Sequence, residues 1–405
     1  MKRIMILLLG MIMVSAANAQ TLDSYIQEAE NNNPEIQAFE LRYNISKEKI
    51  EEADALPNTE LSAGVFVSEP ETRTGAQKAR FSVKQMLPWF GTITARENYA
   101  SSLAQVDYLD IAITKRKLHL SVFQSYYQLF AIKEKQKVLD ENIQLLKTYE
   151  RLALTSVEVG KASAVDVLRL QIRQNELEEN RLVLEHEYHA ERTKFNNLLN
   201  REGSIAIELV DSLPIYEPTE IEQSVLEVHP ELEKYDRLYE SVTQSELLNQ
   251  KEANPNLGFG LDYIPVADRA GMNLSDNGKD IVMPMVSLSI PIFNNKYKSK
   301  TVQNELRQEE INAQKANRRN LLETVLSDAI NSREAARIKY DTQLKNLERA
   351  NDAEEILIKN YETGTIDFND VLDIQELQLK FQMNGIEAVK NYYEQMSIIN
   401  YVTNQ

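Results

Sequence analysis

The chain has 405 residues and no cysteine, and its 62 acidic against 45 basic residues give a formal net charge of −17 at pH 7. The lack of cysteine excludes a disulfide framework and thiolate metal sites. The acidic excess argues against nucleic acid as a partner, because nucleic-acid-binding proteins present basic patches to the phosphates.

The first residues have the pattern of an export signal. Lys2 and Arg3 form a short basic region, an apolar run follows up to Val14, and Ala17 and Ala19 supply the small residues of a cleavage site. The run is too short for a permanent membrane helix, which needs about 20 residues, and this disfavours the alternative of an anchored N-terminus. We expect residues 1–19 to be a signal peptide that is removed on export.

Alternating polarity with a period of two follows between residues 58 and 87. Leu61, Ala63 and Val65 alternate with polar or small residues, and Phe81 and Val83 alternate in the same way. The pattern predicts a β-hairpin at about 58–87, with strands of about ten residues, the length that a tilted strand needs to cross a bilayer. The alternative for one hairpin taken alone is a half-buried sheet of a soluble protein.

Two long runs without proline or glycine come next, one between Gly91 and Gly160 and one from Lys161 to Glu202. Both are rich in good helix formers, and they predict helices at about 92–158 and 163–201. A helix of roughly 65 residues would be about 100 Å long. Gly160 predicts a tight turn between the helices, and Ser163 is a suitable N-cap. The two helices are therefore expected to form a long hairpin.

The second half of the chain repeats this order after a linker at about 203–220. A β-hairpin is predicted at about 256–290, and long helices at about 295–362 and 367–402, with Gly364 at the turn and Asp367 as N-cap. Four landmarks match the first half at offsets of 196, 198, 203 and 204. They are Asn33-Pro34 with His229-Pro230, Pro57-Asn58 with Pro255-Asn256, Pro88 with Pro291, and Gly160 with Gly364. The match predicts a duplicated architecture, with repeat 1 at 20–202 and repeat 2 at 221–405.

Apolar residues of the long helices recur at steps of mostly three and four, which predicts coiled-coil packing. They are Leu139, Ile143, Leu146 and Ala153 in the first hairpin and Val371, Ile374, Leu377, Phe381 and Ala388 in the second. Because long helices with this spacing also occur in rod-like structural coiled coils, that alternative stays open.

The four predicted strands of one chain are too few to form a closed barrel by themselves. Four strands do not close a barrel, which needs about eight, and lipid does not tolerate open sheet edges. If the strands lie in a membrane, several chains must therefore share one barrel. Trp89, Phe90 and Phe293 follow the strands, where interfacial aromatic residues are expected. Pro88 and Pro291 mark the change from strand to helix and are predicted to be swivels.

The export signal, the repeated starts at Asn33-Pro34-Glu35 and His229-Pro230-Glu231, the paired hairpins and the motif Tyr-x-x-Gly-x-x-x-x-x-Asp-Val-Leu at Tyr361–Leu372 together resemble the TolC family of outer-membrane efflux proteins. The resemblance covers essentially the whole mature chain. It implies a homotrimer in outer-membrane lipid, mainly α with a shared twelve-stranded β-barrel that continues into an α-helical periplasmic tunnel.

The same resemblance implies a function and partners. The chain would be the passive exit duct of a tripartite efflux or type I secretion system, fed by an inner-membrane pump through a periplasmic adaptor. The alternative is a structural coiled-coil or periplasmic adaptor protein of the envelope. An adaptor would have one helical hairpin between lipoyl-like halves, whereas this sequence predicts two.

Site residues are implied by position in the family pattern. The helix tips at Gly160, Lys161, Gly364 and Thr365 match the adaptor-docking end, and Asp166, Asp370 and Asp373 match acids of the tunnel entrance. One departure is Ile366, which stands where some members have an arginine that helps to lock the closed tip.

The entrance acids have a physical rationale and an ordinary alternative. Three copies of Asp370 around an axis would form a negative constriction that attracts cations, and close carboxylates would resist ionising together. Alternatively, Asp370 and Asp373 are solvated acids near the start of the last helix, where the helix dipole favours them.

Nothing in the sequence predicts catalysis or a cofactor. His186 and His189 have a spacing that is able to hold a metal ion, but they lie in a charged helical stretch and are interpreted as solvated surface residues. We find no phosphate-binding loop, nucleophile elbow or zinc signature. The expectation is a protein that is not an enzyme and has no metal site.

Overall fold

The computed structural model describes residues 22–160, 163–216, 228–271, 275–293, 295–363, 365–366 and 368–403. The predicted signal peptide at 1–19, the tip residues Lys161 and Gly364, the predicted N-cap Asp367 and the end of the predicted linker lie outside the described residues.

Within the described ranges the chain forms seven helices and six strands. The helices are α1 (Leu22–Asn32), α2 (Pro34–Ala53), α3 (Thr92–Glu158), α4 (Ala164–Leu198), α5 (Pro230–Glu252), α6 (Asn295–Glu362) and α7 (Phe368–Thr403). The strands are β1 (Glu60–Val65), β2 (Glu71–Thr72), β3 (Gly75–Ala76), β4 (Ala79–Leu87), β5 (Asn256–Ile264) and β6 (Ile281–Ser289). A mainly helical chain with paired strands is thereby confirmed. No helix among the described residues is both long and apolar enough to cross a membrane.

The chain divides into two compact units, and each contains segments from both halves of the sequence. Unit 1 comprises the described residues up to Ala38, those from Ala112 to His229 and those from Arg319 onwards. Unit 2 comprises Phe39–Ile111 and Pro230–Arg318. Three helices, α2, α3 and α6, contribute residues to both units.

Unit 1 has an apolar core between its long helices. Leu146 and Ala153 of α3 are completely buried, as are Leu170 of α4 and Val371 of α7. They belong to one cluster that also contains Leu139 and Ile143. The three- and four-residue spacing on α3 is therefore the spacing of a buried seam, as predicted. Full burial of each leucine contributes about 1.5–3 kcal/mol.

An extended segment of unit 1, residues 203–216, is held against the helices by hydroxyl groups of buried and half-buried tyrosines. The hydroxyl of Tyr25 accepts a hydrogen bond from the amide of residue 208 at 2.9 Å, and that of Tyr126 from the amide of residue 210 at 3.0 Å. Tyr393 and Tyr392 donate to the carbonyls of residues 214 and 216 at 2.5 and 2.9 Å. The segment thus satisfies backbone groups without forming a sheet.

Unit 2 contains a four-stranded antiparallel sheet in the order β1-β4-β5-β6. The two predicted hairpins are joined into this sheet by the pairing of β4 with β5, which places Phe81 opposite Tyr263 and Val83 opposite Leu261. A small hairpin of β2 and β3 lies in the connection between β1 and β4. The two hairpins were predicted from the sequence. The pairing of β4 with β5, which joins them into one sheet, was not.

Candidate functional site: the helix tips and the sheet

The turn between α3 and α4 has the predicted helix-ending geometry. Gly160 has a positive φ of 73°, which a residue with a side chain rarely adopts. Ser163 caps α4: its hydroxyl accepts from the amide of Val165 at 3.2 Å, and its own amide donates to the carboxylate of Asp166 at 3.3 Å. Asp166 is 6% exposed. In the single chain, then, this predicted entrance acid completes a capping box.

The turn between α6 and α7 is closed by threonine side chains. Thr363 and Thr365 both donate their hydroxyls to the carbonyl of Asn360 at 2.8 Å, and the amide of Thr365 donates to the same carbonyl at 3.0 Å. Asp370 and Asp373 lie in the first two turns of α7, and both are exposed. Their carboxylates therefore face solvent in the single chain, as an entrance ring and a solvated helix start both require.

One contact links the starts of α4 and α7. The guanidinium of Arg169 donates to the side-chain oxygen of Asn369, one residue before Asp370. The Arg169 side chain is exposed and that of Asn369 is half-buried. Ile366, which stands where some family members have an arginine, has an apolar side chain and forms no such polar contact. Neither Arg169 nor Asn369 was singled out in the sequence, since a charged residue and an amide near helix starts are common.

A partly buried polar layer crosses the helices below these tips. The hydroxyl of Tyr149 on α3 donates to the carboxylate of Glu354 on α6, and the amide of Gln378 on α7 donates to the same carboxylate at 2.8 Å and to Asn351 at 2.9 Å. Burial and the hydrogen bond to Glu354 raise the pKa of Tyr149 well above its usual range. Three helices are thus joined by one carboxylate.

A second polar layer lies along the same seam. The side-chain nitrogen of Gln375 donates to the oxygen of Asn142 at 2.8 Å, and Asn142 donates to Gln382 at 3.1 Å and to the carbonyl of Val138 at 2.8 Å. Gln375 is completely buried. Sequence reasoning missed both layers, although amides at seam spacing on α7 were the available signal. Polar groups buried in this way fix which helices pack together and in what register.

The sheet of unit 2 has one apolar face, and that face is exposed. Leu61, Val65, Val286 and Leu288 are 75%, 80%, 73% and 53% exposed. Phe259 on the central strand β5 is also half exposed. A soluble single chain rarely leaves such a continuous apolar surface uncovered, so the exposed face supports contact with lipid rather than a half-buried soluble sheet.

The opposite face of the sheet is polar and small. Arg80 on β4 forms an ion pair with Asp262 on β5, whose side chain is completely buried. A Cβ at Gly258 would lie 2.2 Å from the hydroxyl of Ser287 and 2.5 Å from the sulfur of Met86, so these side chains would have to move to admit one. The two faces of the sheet therefore differ in polarity, as the alternation along the strands predicts.

Pro88 and Pro291 lie in the connections between a strand of the sheet and the long helix that follows it. Pro88 directly follows β4, and α3 begins four residues later at Thr92; Pro291 lies between Ser289, the end of β6, and Asn295, the start of α6. The rings of Trp89 and Phe90 contact each other edge to face, with centroids 5.8 Å apart. Phe90 and Phe293 are 78% and 92% exposed, which leaves their rings available for an interface.

His186 and His189 both lie on α4, as the charged helical stretch around them predicted. No group of three or more histidine or acidic side chains with metal-site geometry occurs among the residues that the structure describes. His119 on α3 instead bonds Glu30 on α1 at 2.5 Å, and Lys115 bonds the other carboxylate oxygen at 3.0 Å. Those contacts attach α1 to α3.

Known proteins resemble the chain in fold and, in the first half, in sequence. Residues 25–201 match the family described as outer membrane efflux protein. No curated protein matches the chain in sequence. Three solved structures that share the fold are VceC from Vibrio cholerae (TM-score 0.74, 15% identity, 94% of this chain and 95% of that chain), the CmeC outer membrane channel of Campylobacter jejuni (0.74, 14%, 94% and 85%), and the open state of the MtrE outer membrane channel of Neisseria gonorrhoeae (0.75, 15%, 94% and 88%).

The structural likeness, at 14–15% identity, establishes the fold over most of the chain. The sequence match covers residues 25–201. Residues 25–201 thus resemble the outer membrane efflux protein family in sequence, and the fold over most of the chain is that of solved outer-membrane channels.

Proposed function

We propose that three copies of this chain assemble into one passive duct, which receives its substrates from an inner-membrane pump through a periplasmic adaptor. The observation that carries the proposal is the four-stranded sheet, with its exposed apolar face and its polar opposite face. One such sheet does not close on itself, whereas three would supply twelve strands, above the working minimum of about eight.

In the proposed duct the residues at the helix tips have the entrance roles. Gly160, Lys161, Gly364 and Thr365 are the proposed contact points for the adaptor, and Asp370 and Asp373 line the opening. Support for the acids comes from their exposure at the start of α7. Asp166 has a proposed second role at the entrance besides its capping of α4.

Pro88 and Pro291 are the proposed swivels between sheet and helices, with Trp89, Phe90 and Phe293 at the membrane surface. The exposure of Phe90 and Phe293 supports this placement, because aromatic side chains favour the boundary between lipid and water. The protein would then perform no covalent chemistry of its own. Selection of the cargo would rest with the pump.

Trimer formation is the experiment that tests the proposal. Membranes from cells that express the chain are separated, and outer-membrane fractions are run in detergent with and without boiling. The expected result is a heat-modifiable trimer that forms ion-conducting channels in planar bilayers. A water-soluble monomer in the periplasmic fraction would refute the proposal and favour a structural coiled coil.

A further inference from the structure

The two outer strands of the sheet each have an edge without a partner. Among the described residues, β1 pairs only with β4 and β6 only with β5. In the proposed trimer, on which this inference rests, the free edge of β6 must meet the free edge of β1 in a neighbouring copy. The register of that contact follows from the register within the chain.

The strands within one chain are aligned residue by residue. Leu61 lies opposite Val83, Val83 opposite Leu261, and Leu261 opposite Pro284. These four residues therefore mark one level across the sheet, and all belong to the apolar face. A neighbouring β1 continues that face only if its Leu61 is shifted from the level of Pro284 by an even number of residues, since an odd shift exchanges the two faces.

Closure of the barrel restricts the size of the shift. Four strands at about 4.8 Å are about 19 Å wide, and each residue rises about 3.3 Å. Shifts of zero, two, four and six residues for each chain would tilt the strands by about 0°, 19°, 35° and 46°. Membrane barrels have tilts of about 35–45°, which leaves four and six.

The ends of the strands decide between the remaining shifts. A shift of four places all of Glu60–Val65 opposite residues 289–284, inside β6. A shift of six places Glu60 opposite Pro291, beyond the end of β6 at Ser289. A shift of four in the opposite sense leaves only Glu60 opposite a residue of β6, Ile281, and the rest of β1 opposite the preceding loop.

Pro284 and the length of β6 agree with this choice. Proline has no N–H for a strand ladder and is tolerated at ladder ends. A shift of four places Pro284 opposite Val65, the last residue of β1, whereas a shift of two places it opposite Ala63, inside the ladder. The nine residues of β6, tilted by about 35°, would span about 24 Å, close to the apolar band of about 25 Å.

We propose that β1 of one copy pairs antiparallel with β6 of the next copy in a single register, with Leu61 opposite Leu288, Ala63 opposite Val286 and Val65 opposite Pro284. The interface then continues the apolar face around the barrel. It also puts Ser62 opposite Ser287 on the polar face. The partner is a second copy of this chain, and the contact is a backbone ladder between two strands that are both edges in the single chain.

Cysteine crosslinking tests this register directly, because the chain has no cysteine of its own. The double variant Ala63→Cys with Val286→Cys is oxidised in outer membranes and analysed without reductant after boiling. We expect covalent dimers and trimers that disappear on reduction. A second pair, Ser62→Cys with Ser287→Cys, lies on the other face, so one of the two pairs has the short separation of about 4.5 Å that suits a disulfide.

Two variants with shifted registers are the matched controls. Leu61→Cys with Val286→Cys corresponds to a shift of two, and Ala63→Cys with Leu288→Cys to a shift of six. An offset of two residues raises the Cα separation to about 8 Å, beyond the reach of a disulfide. We therefore expect at least about tenfold less crosslinked product from both controls at equal oxidation time.

The outcomes separate this inference from the proposed function. A heat-stable trimer that crosslinks best in either control pair, or in none of the pairs, overturns the register and leaves the duct intact. If the cysteine-free protein is a monomer in the outer membrane, the proposed function itself fails. The single variants Ala63→Cys and Val286→Cys, which lack a partner thiol in this register, should give no crosslinked product.

Discussion

The polar layer around Glu354 leads to the most detailed prediction. Tyr149→Phe removes one hydroxyl, which donates to the Glu354 carboxylate, and keeps the ring that packs edge to face on Phe368 with centroids 5.8 Å apart. A hydrogen bond to a charged group contributes about 1.5–3 kcal/mol. Glu354 retains its bond from Gln378 at 2.8 Å, so we expect a loss of about 1.5–3 kcal/mol and not the larger cost of an unpaired buried charge.

The loss is measurable as a change in thermal stability. With an unfolding entropy of about 2.1 cal/mol/K for each residue, a chain of this size shifts its Tm by about 1.2 °C for each kcal/mol. Tyr149→Phe should therefore lower the Tm of the purified protein by about 2–4 °C. Circular dichroism at a fixed scan rate in one detergent measures the shift. Tyr188→Phe is the matched control, since the Tyr188 hydroxyl on α4 makes no hydrogen bond in the described structure.

The hydrogen bond between Tyr149 and Glu354 should also make the thermal stability fall at alkaline pH. The pKa of Tyr149 is raised in the folded protein by burial and by the bond to Glu354. The stability that this shift represents is fully present below the unfolded pKa of about 10 and is lost as the pH rises above that value. The Tm of the unaltered protein should thus fall more steeply above pH 10 than that of Tyr149→Phe. Equal Tm values for Tyr149→Phe and Tyr188→Phe at pH 7 would refute the reasoning, and so would a fall above pH 10 that is equally steep in Tyr149→Phe and in the unaltered protein.

The acids at the start of α7, a glycine of β5 and a carboxylate of α1 each have a measurable role. Asp370→Ala with Asp373→Ala should raise single-channel conductance and weaken block by multivalent cations at least about fivefold, because each nearby unit charge contributes about 1 kcal/mol even in water; unchanged recordings would contradict the entrance ring. Gly258→Ala should reduce the yield of heat-stable trimer, since its Cβ would lie 2.2 Å from the Ser287 hydroxyl and 2.5 Å from the Met86 sulfur; an unchanged yield would contradict this. Burial raises the pKa of Glu30, but hydrogen bonds from Lys115 and His119 outweigh it and lower the pKa overall, so this contact stabilises above the unfolded pKa of about 4.3 and is lost as the pH falls through the folded value; Glu30→Gln should lower the Tm at pH 7 and flatten its fall in acid.

Local sequence determined the helices and their ends. Residues between Gly91 and Gly160 contain neither proline nor glycine, and α3 fills the interval from Thr92 to Glu158. Gly160 has the positive φ that ends a helix, and Ser163 caps the next one. These features depend on the backbone preferences of a few neighbouring residues, and such local preferences can be recognised in a single sequence. The apolar spacing of Leu139, Ile143, Leu146 and Ala153 likewise predicted the buried seam.

The strands were predictable as separate hairpins and not as one sheet. Alternation along Leu61–Val65 and along Leu257–Tyr263 shows which residues share a face. It does not show that β4 pairs with β5, because residues 81 and 263 are distant in sequence and the pairing has no local signal. Only that pairing aligns Leu61 with Pro284 across four strands, and the register proposed for the interface depends on it.

By itself, the sequence of this protein predicted the two hairpins of strands, the ends of the long helices and the two-faced strands that the structure contains; the sharing of one barrel by several chains stays a prediction. The tertiary structure decided which polar residues became buried, namely the Glu354 layer and the Asn142–Gln375 layer, and how four tyrosines hold residues 203–216. The physical reason is the range of the interactions. Helix propensity, capping and face alternation act over a few residues, whereas a buried hydrogen bond stabilises only when segments far apart in the chain supply donor and acceptor at the same place.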